Sequence, residues 1–188
     1  MIHLSGRKAL VAGAASGIGE ASARALAAAG AQVVIADMNG EAAEAVAREI
    51  GGAAWQVDPS DTDALGALSL DVDILVNNAG IQHVSPIEKF GPAKFHLVMT
   101  LMLESLFLLV RAALPHMYRN RFGRVVNISS VHGIPESEVV EKVLLTESAI
   151  KRLLEPSEVA DLVLWLSGDS AGMVTGASYT IDGGWSAR

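Results

Sequence analysis

Short apolar runs alternate with longer stretches of helical spacing over most of this chain. Residues 8–12 form a brief apolar run, which predicts a strand, and they lead through a Gly-rich turn into an Ala-rich helix over 19–29. The pattern then repeats. It predicts strands over 32–36, 53–57 and 72–76, separated by helices over 41–50 and 61–68. The 72–76 run is apolar at every position but Asp73, as expected of a strand covered on both faces. A long helix over 92–118 follows, with a bend expected near Pro115, whose nitrogen has no proton to donate. A fifth strand is expected over 124–128. This alternation predicts βαβ units and an α/β fold with a doubly wound, Rossmann-like parallel sheet.

After Ser129-Ser130 the rhythm breaks. Two helical segments come next with no strand between them, one over 136–145 and one that starts at Pro156 and stops before Gly168. A last strand is expected over 177–181, ahead of the turn Asp182-Gly183-Gly184. A full seven-stranded fold of this kind needs well over about 200 residues, at roughly 30 per βα unit. With 188 residues, the chain is expected to be truncated by about two βα units.

Composition narrows the class. Residues 1–188 fit a single domain large enough for a proper core, and the 51% hydrophobic content with 18 glycines suits buried parallel strands. A net charge of −7 leaves no basic stripe for phosphate backbones, so nucleic acid is not an expected partner. The absence of cysteine removes disulfides and Cys-ligated metal, no metal site is expected, and a reducing cytoplasm fits. The first residues show no long apolar stretch or cleavage site of the exported kind. The greasiest stretch, 96–118, is interrupted by Glu104 and Arg111, so it reads as a long buried helix and not as a membrane span.

The candidate chemistry collects at strand ends. Gly13, Ser16, Gly17, Ile18 and Gly19 belong to a GxxxGxG turn between the first strand and its helix, where glycines let backbone N–H groups approach a pyrophosphate at a helix N-terminus. Such a turn also occurs as a mere turn. Asp37 ends the second strand, 18 residues after Gly19, where a carboxylate can accept the hydroxyls of an adenosine ribose. It would repel the extra phosphate of NADP, which favours NAD as cofactor; the plainer reading is that Asp37 or Asn39 caps the next helix. Asp58 ends the third strand and would border the adenine, and Asn77-Asn78-Ala79-Gly80 ends the fourth. Four strand ends in agreement favour dinucleotide binding.

The turn AGAASGIG, Asp37, NNAG at 77–80, NISS at 127–130 and TGASYTIDGG near the C-terminus resemble the short-chain dehydrogenase/reductase family over nearly the whole chain. GIQHV at 80–84 and SSVHG at 129–133 are similar, more narrowly, to bacterial D-3-hydroxybutyrate dehydrogenases. That resemblance implies a 3-hydroxy acid as the small-molecule substrate, with its carboxylate held by Gln82 and His132. Both types hydrogen-bond anions, although His132 taken alone is as readily a surface loop histidine. It further implies Ser130 as the serine that hydrogen-bonds the reacting oxygen, with Ser129 its neighbour; either hydroxyl also has the simpler role of satisfying backbone groups.

The family's base is a Tyr with a Lys four residues later on the same helix face, the Lys lowering the Tyr pKa and holding the nicotinamide ribose. That pair is missing. Tyr118 is followed at that spacing by Phe122, and Tyr179 by Gly183. Gly133 runs directly into Ile134-Pro135-Glu136, and the text through Lys151-Arg152 is similar to the family's substrate lid, so roughly 70 residues are expected to be lost after Gly133. Met102 stands where many family members have Asn. Two readings follow: an NAD-dependent 3-hydroxybutyrate dehydrogenase by lineage, or a dinucleotide-binding remnant without catalysis. Family members are homo-oligomers, an assembly expected to be perturbed here.

Overall fold

The computed structural model describes residues 2–130 and 148–187. Its strands are β1 Lys8–Ala12, β2 Gln32–Asp37, β3 Ala53–Gln56, β4 Ile74–Asn77 and β5 Arg124–Asn127. All pair in parallel, in the order β3-β2-β1-β4-β5. The helices are α1 Gly17–Ala28, α2 Gly40–Ile50, α3 Thr62–Gly66, α4 Pro92–Met99, α5 Ser105–Asn120 and α6 Pro156–Ser167. This is the Rossmann-like α/β sheet that the alternating pattern predicts.

The two-residue period of β1 builds both layers at once. Ala9 and Val11 pack with Ala23 and Leu26 of α1, Val46 of α2, and Val159 and Val163 of α6. Leu10 and Ala12 face the other way, onto Leu65 of α3 and Leu109, Ala113 and Met117 of α5. Each fully buried Leu or Val contributes about 1.5–3 kcal/mol, so β1 anchors two cores. Helix entry is fixed locally: the Asn39 side chain accepts the Ala42 N–H at 3.1 Å, and Asp61 accepts that of Ala64 at 3.0 Å. The Arg7 and Arg124 guanidinium groups flank the Phe122 ring, at 3.6 and 4.5 Å from its centroid.

Three expectations are corrected. The long helix runs continuously over Pro92–Asn120, but its departure from α geometry is a π-turn at Thr100–Glu104; Pro115 sits inside α5. In the turn before Pro115 the Ala112 carbonyl also accepts a donor from outside the helix, the Leu70 N–H at 3.0 Å. The helix is also not buried throughout. Leu109, Ala113 and Met117 lie in the core, whereas Phe95, Met99, Leu103 and Phe107, four residues apart, are exposed. By length and composition alone it could cross a membrane, but its α5 half packs on the sheet. Finally, residues 177–181 form no strand. A strand needs a neighbour to bond, and a cavity of about 900 Å³ lies between them and β5. The helix expected over 136–145 lies outside the described residues.

Candidate functional site

From β1 the chain moves outward to β2 and β3, and from β4 it moves the other way to β5. Such a reversal opens a crevice between the loops at the carboxyl ends of β1 and β4, the usual ligand position in these sheets. Here the crevice holds the two motifs that the sequence singled out.

The turn after β1 is shaped by its glycines. Gly13 has φ +71, and a Cβ there would stand 2.7 Å from the Ala79 Cα. A Cβ on Gly19 would lie 2.1 Å from the Gly13 carbonyl oxygen. Both are therefore required by close approach within the protein. Gly17 differs: its φ is +58, yet nothing lies within 4 Å of a Cβ built on it. Its left-handed backbone bends an exposed turn outward at the start of α1. Ser16, exposed and extended, precedes the helix, and the first N–H groups of α1, from Gly17 through Gly19, have no intrahelical acceptor. Ile18 leans back onto the core. An anion at this end meets free donors and the positive end of the helix.

Hydrogen bonds tie the strand ends together. Asn78 Nδ2 donates to the Gly13 carbonyl at 2.8 Å. Asp37 Oδ2 accepts the Ala15 N–H at 3.0 Å, and its Oδ1 accepts the Asn39 N–H, also at 3.0 Å. One bond per oxygen leaves the carboxylate with further lone pairs for ligand hydroxyls. Asn39, not Asp37, caps α2, so the capping alternative falls to its neighbour.

Asp37, Gly13, Ala79 and Gly80 line a cavity of about 150 Å³ together with Met38, Trp55, Val57 and Ile81. Its walls are mostly apolar with one carboxylate at the rim, which fits an adenosine: a flat base against side chains and ribose hydroxyls at Asp37. Sequence reasoning missed Trp55. The signal was there, because Trp55 and Val57 are two residues apart at the end of β3 and just beyond it, the spacing that puts side chains on one side of an extended chain. Asp58 lies between two lining residues, but its Oδ1 accepts both the N–H and the hydroxyl of Ser60, at 2.8 and 2.7 Å, and those bonds hold its carboxyl below its ordinary value. It shapes the rim of that cavity.

Farther along the edge, Gln82 is exposed in the loop after β4, and Ser130 stands just beyond β5. Since β4 and β5 are neighbours, the two share one end of the sheet. His132 lies outside the described residues. The π-turn carries Met102 against Gly80, with Cε 3.4 Å from where a Cβ would be, so a thioether occupies that approach. Asn77 donates to Asn127 Oδ1 at 2.8 Å, while its own Oδ1 is buried without a partner among the described residues. Neither tyrosine makes a base. Tyr118 lies in the last turn of α5, at the amino edge, and Tyr179 stacks edge-on against Trp165, at 5.8 Å between ring centroids.

Sequence comparison agrees with this geometry. The short chain dehydrogenase family model matches residues 7–141, and a second model, described as enoyl-(acyl carrier protein) reductase, matches 131–186. The chain belongs to the short-chain dehydrogenase family, whose members bind a nicotinamide dinucleotide. It is 30% identical to the uncharacterized oxidoreductase YxjF of Bacillus subtilis over an alignment of 252 residues, covering 96% of this chain and 98% of the relative. It is 29% identical over 259 residues to the D-beta-hydroxybutyrate dehydrogenase of Rhizobium meliloti, covering 97% and 99%. Among solved structures, one from Agrobacterium tumefaciens with bound NADP, named for a 2-deoxy-D-gluconate 3-dehydrogenase, superposes with a TM-score of 0.86 at 28% identity, covering 99% and 98%.

Proposed function

We propose that this chain captures NAD in preference to NADP, descends from the 3-hydroxybutyrate dehydrogenase branch of its family, and does not itself transfer hydride at an enzymatic rate. The observation that carries the first part is Asp37, whose carboxylate stands at the rim of the mostly apolar cavity beside Trp55 and bonds the glycine turn through Ala15. A 2′-phosphate at that rim would meet a fixed negative charge. The α1 N-terminus would hold the pyrophosphate, and Asn78 keeps that turn in place. NAD supplies the hydride acceptor; the chain supplies grip and orientation.

The lineage rests on Gln82, Ser130 and His132, the positions similar to that subfamily, and on the likeness to the Rhizobium meliloti dehydrogenase. The lack of turnover rests on the missing Tyr and Lys. An alignment of 252 residues exceeds the 188 residues of this chain by 64, which supports the reading that about two βα units are lost from its interior.

Calorimetric titration of both dinucleotides tests this, with Trp fluorescence as a second signal. NAD is expected to bind at least tenfold more tightly than NADP, with a change in emission that disappears in Trp55→Phe. Equal or tighter NADP binding would overturn the role given to Asp37. NADH formation at 340 nm with D-3-hydroxybutyrate is expected to stay at background; robust turnover would overturn the non-catalytic reading.

A further inference from the structure

Asp37 owes its orientation to neighbours as well as to β2. Its register partner across the parallel ladder is Gln56, the last residue of β3, and the Val57 N–H donates to the Asp37 carbonyl at 3.0 Å. Beyond Asp37 the chain turns through Met38 and Asn39 into α2, and the peptide unit joining those two residues is held at both ends. Its N–H, on Asn39, donates to Asp37 Oδ1 at 3.0 Å. Its carbonyl, on Met38, accepts from Gln56 Nε2 at 3.1 Å. A trans peptide unit is planar, with N–H and C=O pointing in opposite directions, so it cannot turn without breaking both bonds. Gln56 and the Asp37 carboxylate are thus coupled through one rigid plane. Gly40 leaves room for this. A Cβ there would stand 2.7 Å from Gln56 Oε1 and 2.8 Å from its Cδ, yet Gly40 is not among the glycines with positive φ. Space for the Gln56 amide, not backbone conformation, is what asks for glycine at this position. Gln56 is itself exposed, so no core depends on it.

We propose that Gln56 is a positioning residue for dinucleotide selection: through the Met38–Asn39 peptide it fixes the direction of the Asp37 carboxylate and sharpens the choice of NAD over NADP. This rests on the assignment of Asp37 to the adenosine ribose made above. With Oδ2 on the Ala15 N–H and Oδ1 on the Asn39 N–H, the carboxylate presents its remaining lone pairs in one set direction. Ribose hydroxyls that donate there find an acceptor already aimed. A 2′-phosphate meets a negative charge that has no freedom to swing aside. Once the Gln56 amide is gone, one end of the 38–39 peptide is free, the hold on Oδ1 weakens, and the carboxylate can pivot about its bond to Ala15. NAD then loses a pre-aimed acceptor, while NADP gains relief from the charge. The two dinucleotides are expected to respond in opposite senses, which plain loosening of the loop does not produce.

The experiment titrates NAD and NADP by calorimetry into the intact 188-residue protein and its variants, with a melting curve for each. Gln56→Met keeps the side-chain length and removes the donor. NAD affinity is expected to fall about 2- to 10-fold, the range for one neutral hydrogen bond, with NADP affinity level or higher. Gly40→Ala reaches the same bond from the other side, because its Cβ pushes the Gln56 amide off Met38. Alanine at the first position of α2 suits the helix better than glycine does. This variant is expected to narrow the preference without lowering the melting temperature, and it carries the test if Gln56→Met does not fold. In an Asp37→Ala background, Gln56→Met is expected to leave the ratio of affinities unchanged, because the residue acts through that carboxylate. An unchanged ratio in either folded single variant, an equal fall for both dinucleotides, or a full effect in the Asp37→Ala background would overturn the proposal while the role of Asp37 stands. A parent that binds both dinucleotides equally, or neither, removes that role and this proposal together.

Discussion

Asn78 donates its side-chain amide to the carbonyl of Gly13 at 2.8 Å, linking two turns that lie 65 residues apart in sequence. The bond crosses the point where the sheet reverses direction, so the loops that would contact a dinucleotide are fixed to each other before any ligand arrives. Removing the amide while keeping the shape, as in Asn78→Leu, leaves that carbonyl short of its donor and is expected to cost about 1–3 kcal/mol in stability. Thermal melting with and without NAD measures it, and dinucleotide affinity is expected to fall in parallel.

Glycine substitutions are expected to split by local geometry. Gly19→Ala places a Cβ 2.1 Å from a carbonyl oxygen, and Gly13→Ala places one 2.7 Å from the Ala79 backbone. Each is expected to lower stability by several kcal/mol or to prevent folding. Gly66→Ala, at the end of α3 with open space around it, is expected to be neutral or to stabilise by about 0.5–1 kcal/mol. Melting temperatures of the three variants against the parent decide the matter.

Asp37→Ala is expected to weaken NAD binding by about 10- to 100-fold, the range for a lost hydrogen bond to a charged group, and to erase the preference over NADP. Because the same carboxylate holds the Ala15 and Asn39 N–H groups, some stability is expected to go with it. Asp37→Asn separates the two effects, since it retains an acceptor but loses the charge. It is expected to raise NADP affinity relative to NAD, as read by calorimetry.

The fold was legible where burial is two-sided. Residues 72–76 read as a doubly covered strand, and β4 lies there from Ile74, with the Asp73 carboxylate accepting the Lys8 N–H just ahead of it. Likewise β2 runs one residue past the apolar run, since Asp37 is held in line by Ala15. The glycine turn and NNAG were legible because close backbone approach demands particular residues at fixed spacing. Trp55 was not, since an aromatic on a short edge strand reads equally well as packing. Nor was the π-turn at 100–104, because one extra residue per turn barely disturbs an apolar pattern. The strand expected over 177–181 failed for a different reason: its sequence is suited to a sheet, but pairing depends on a neighbour that a local pattern cannot report.

Acid is expected to loosen the start of α6. The Arg152 guanidinium, 2.6 Å from each oxygen of Glu158, and then the Glu155 N–H lower the Glu158 carboxyl from its ordinary 4.5 to about 2. A carboxyl lowered in the folded state stabilises that state above the unfolded value and loses its effect as pH falls from 4.5 toward about 2. Melting temperature is expected to drop across that window, and Glu158→Gln is expected to flatten the dependence. An unchanged slope in the variant would assign the transition to other groups.

Phe95, Met99, Leu103 and Phe107 repeat every four residues along the exposed side of the long helix. A contiguous apolar stripe of this kind promotes association. The chain is expected to self-associate, and Leu103→Glu with Phe107→Lys is expected to shift it toward monomer in light-scattering chromatography while leaving NAD affinity within about twofold.

Strand order has one more consequence. The groups proposed to grip the dinucleotide stand on β1 through β4 and the turns that leave them, whereas Ser130 and the larger cavity lie at β5 and beyond. Selection for catalysis and selection for ligand capture therefore fall on separate stretches of the polypeptide. A lineage can shed its chemistry and still keep its ligand, and a new reaction can be grafted past Asn127 without rewriting the turn at Gly13.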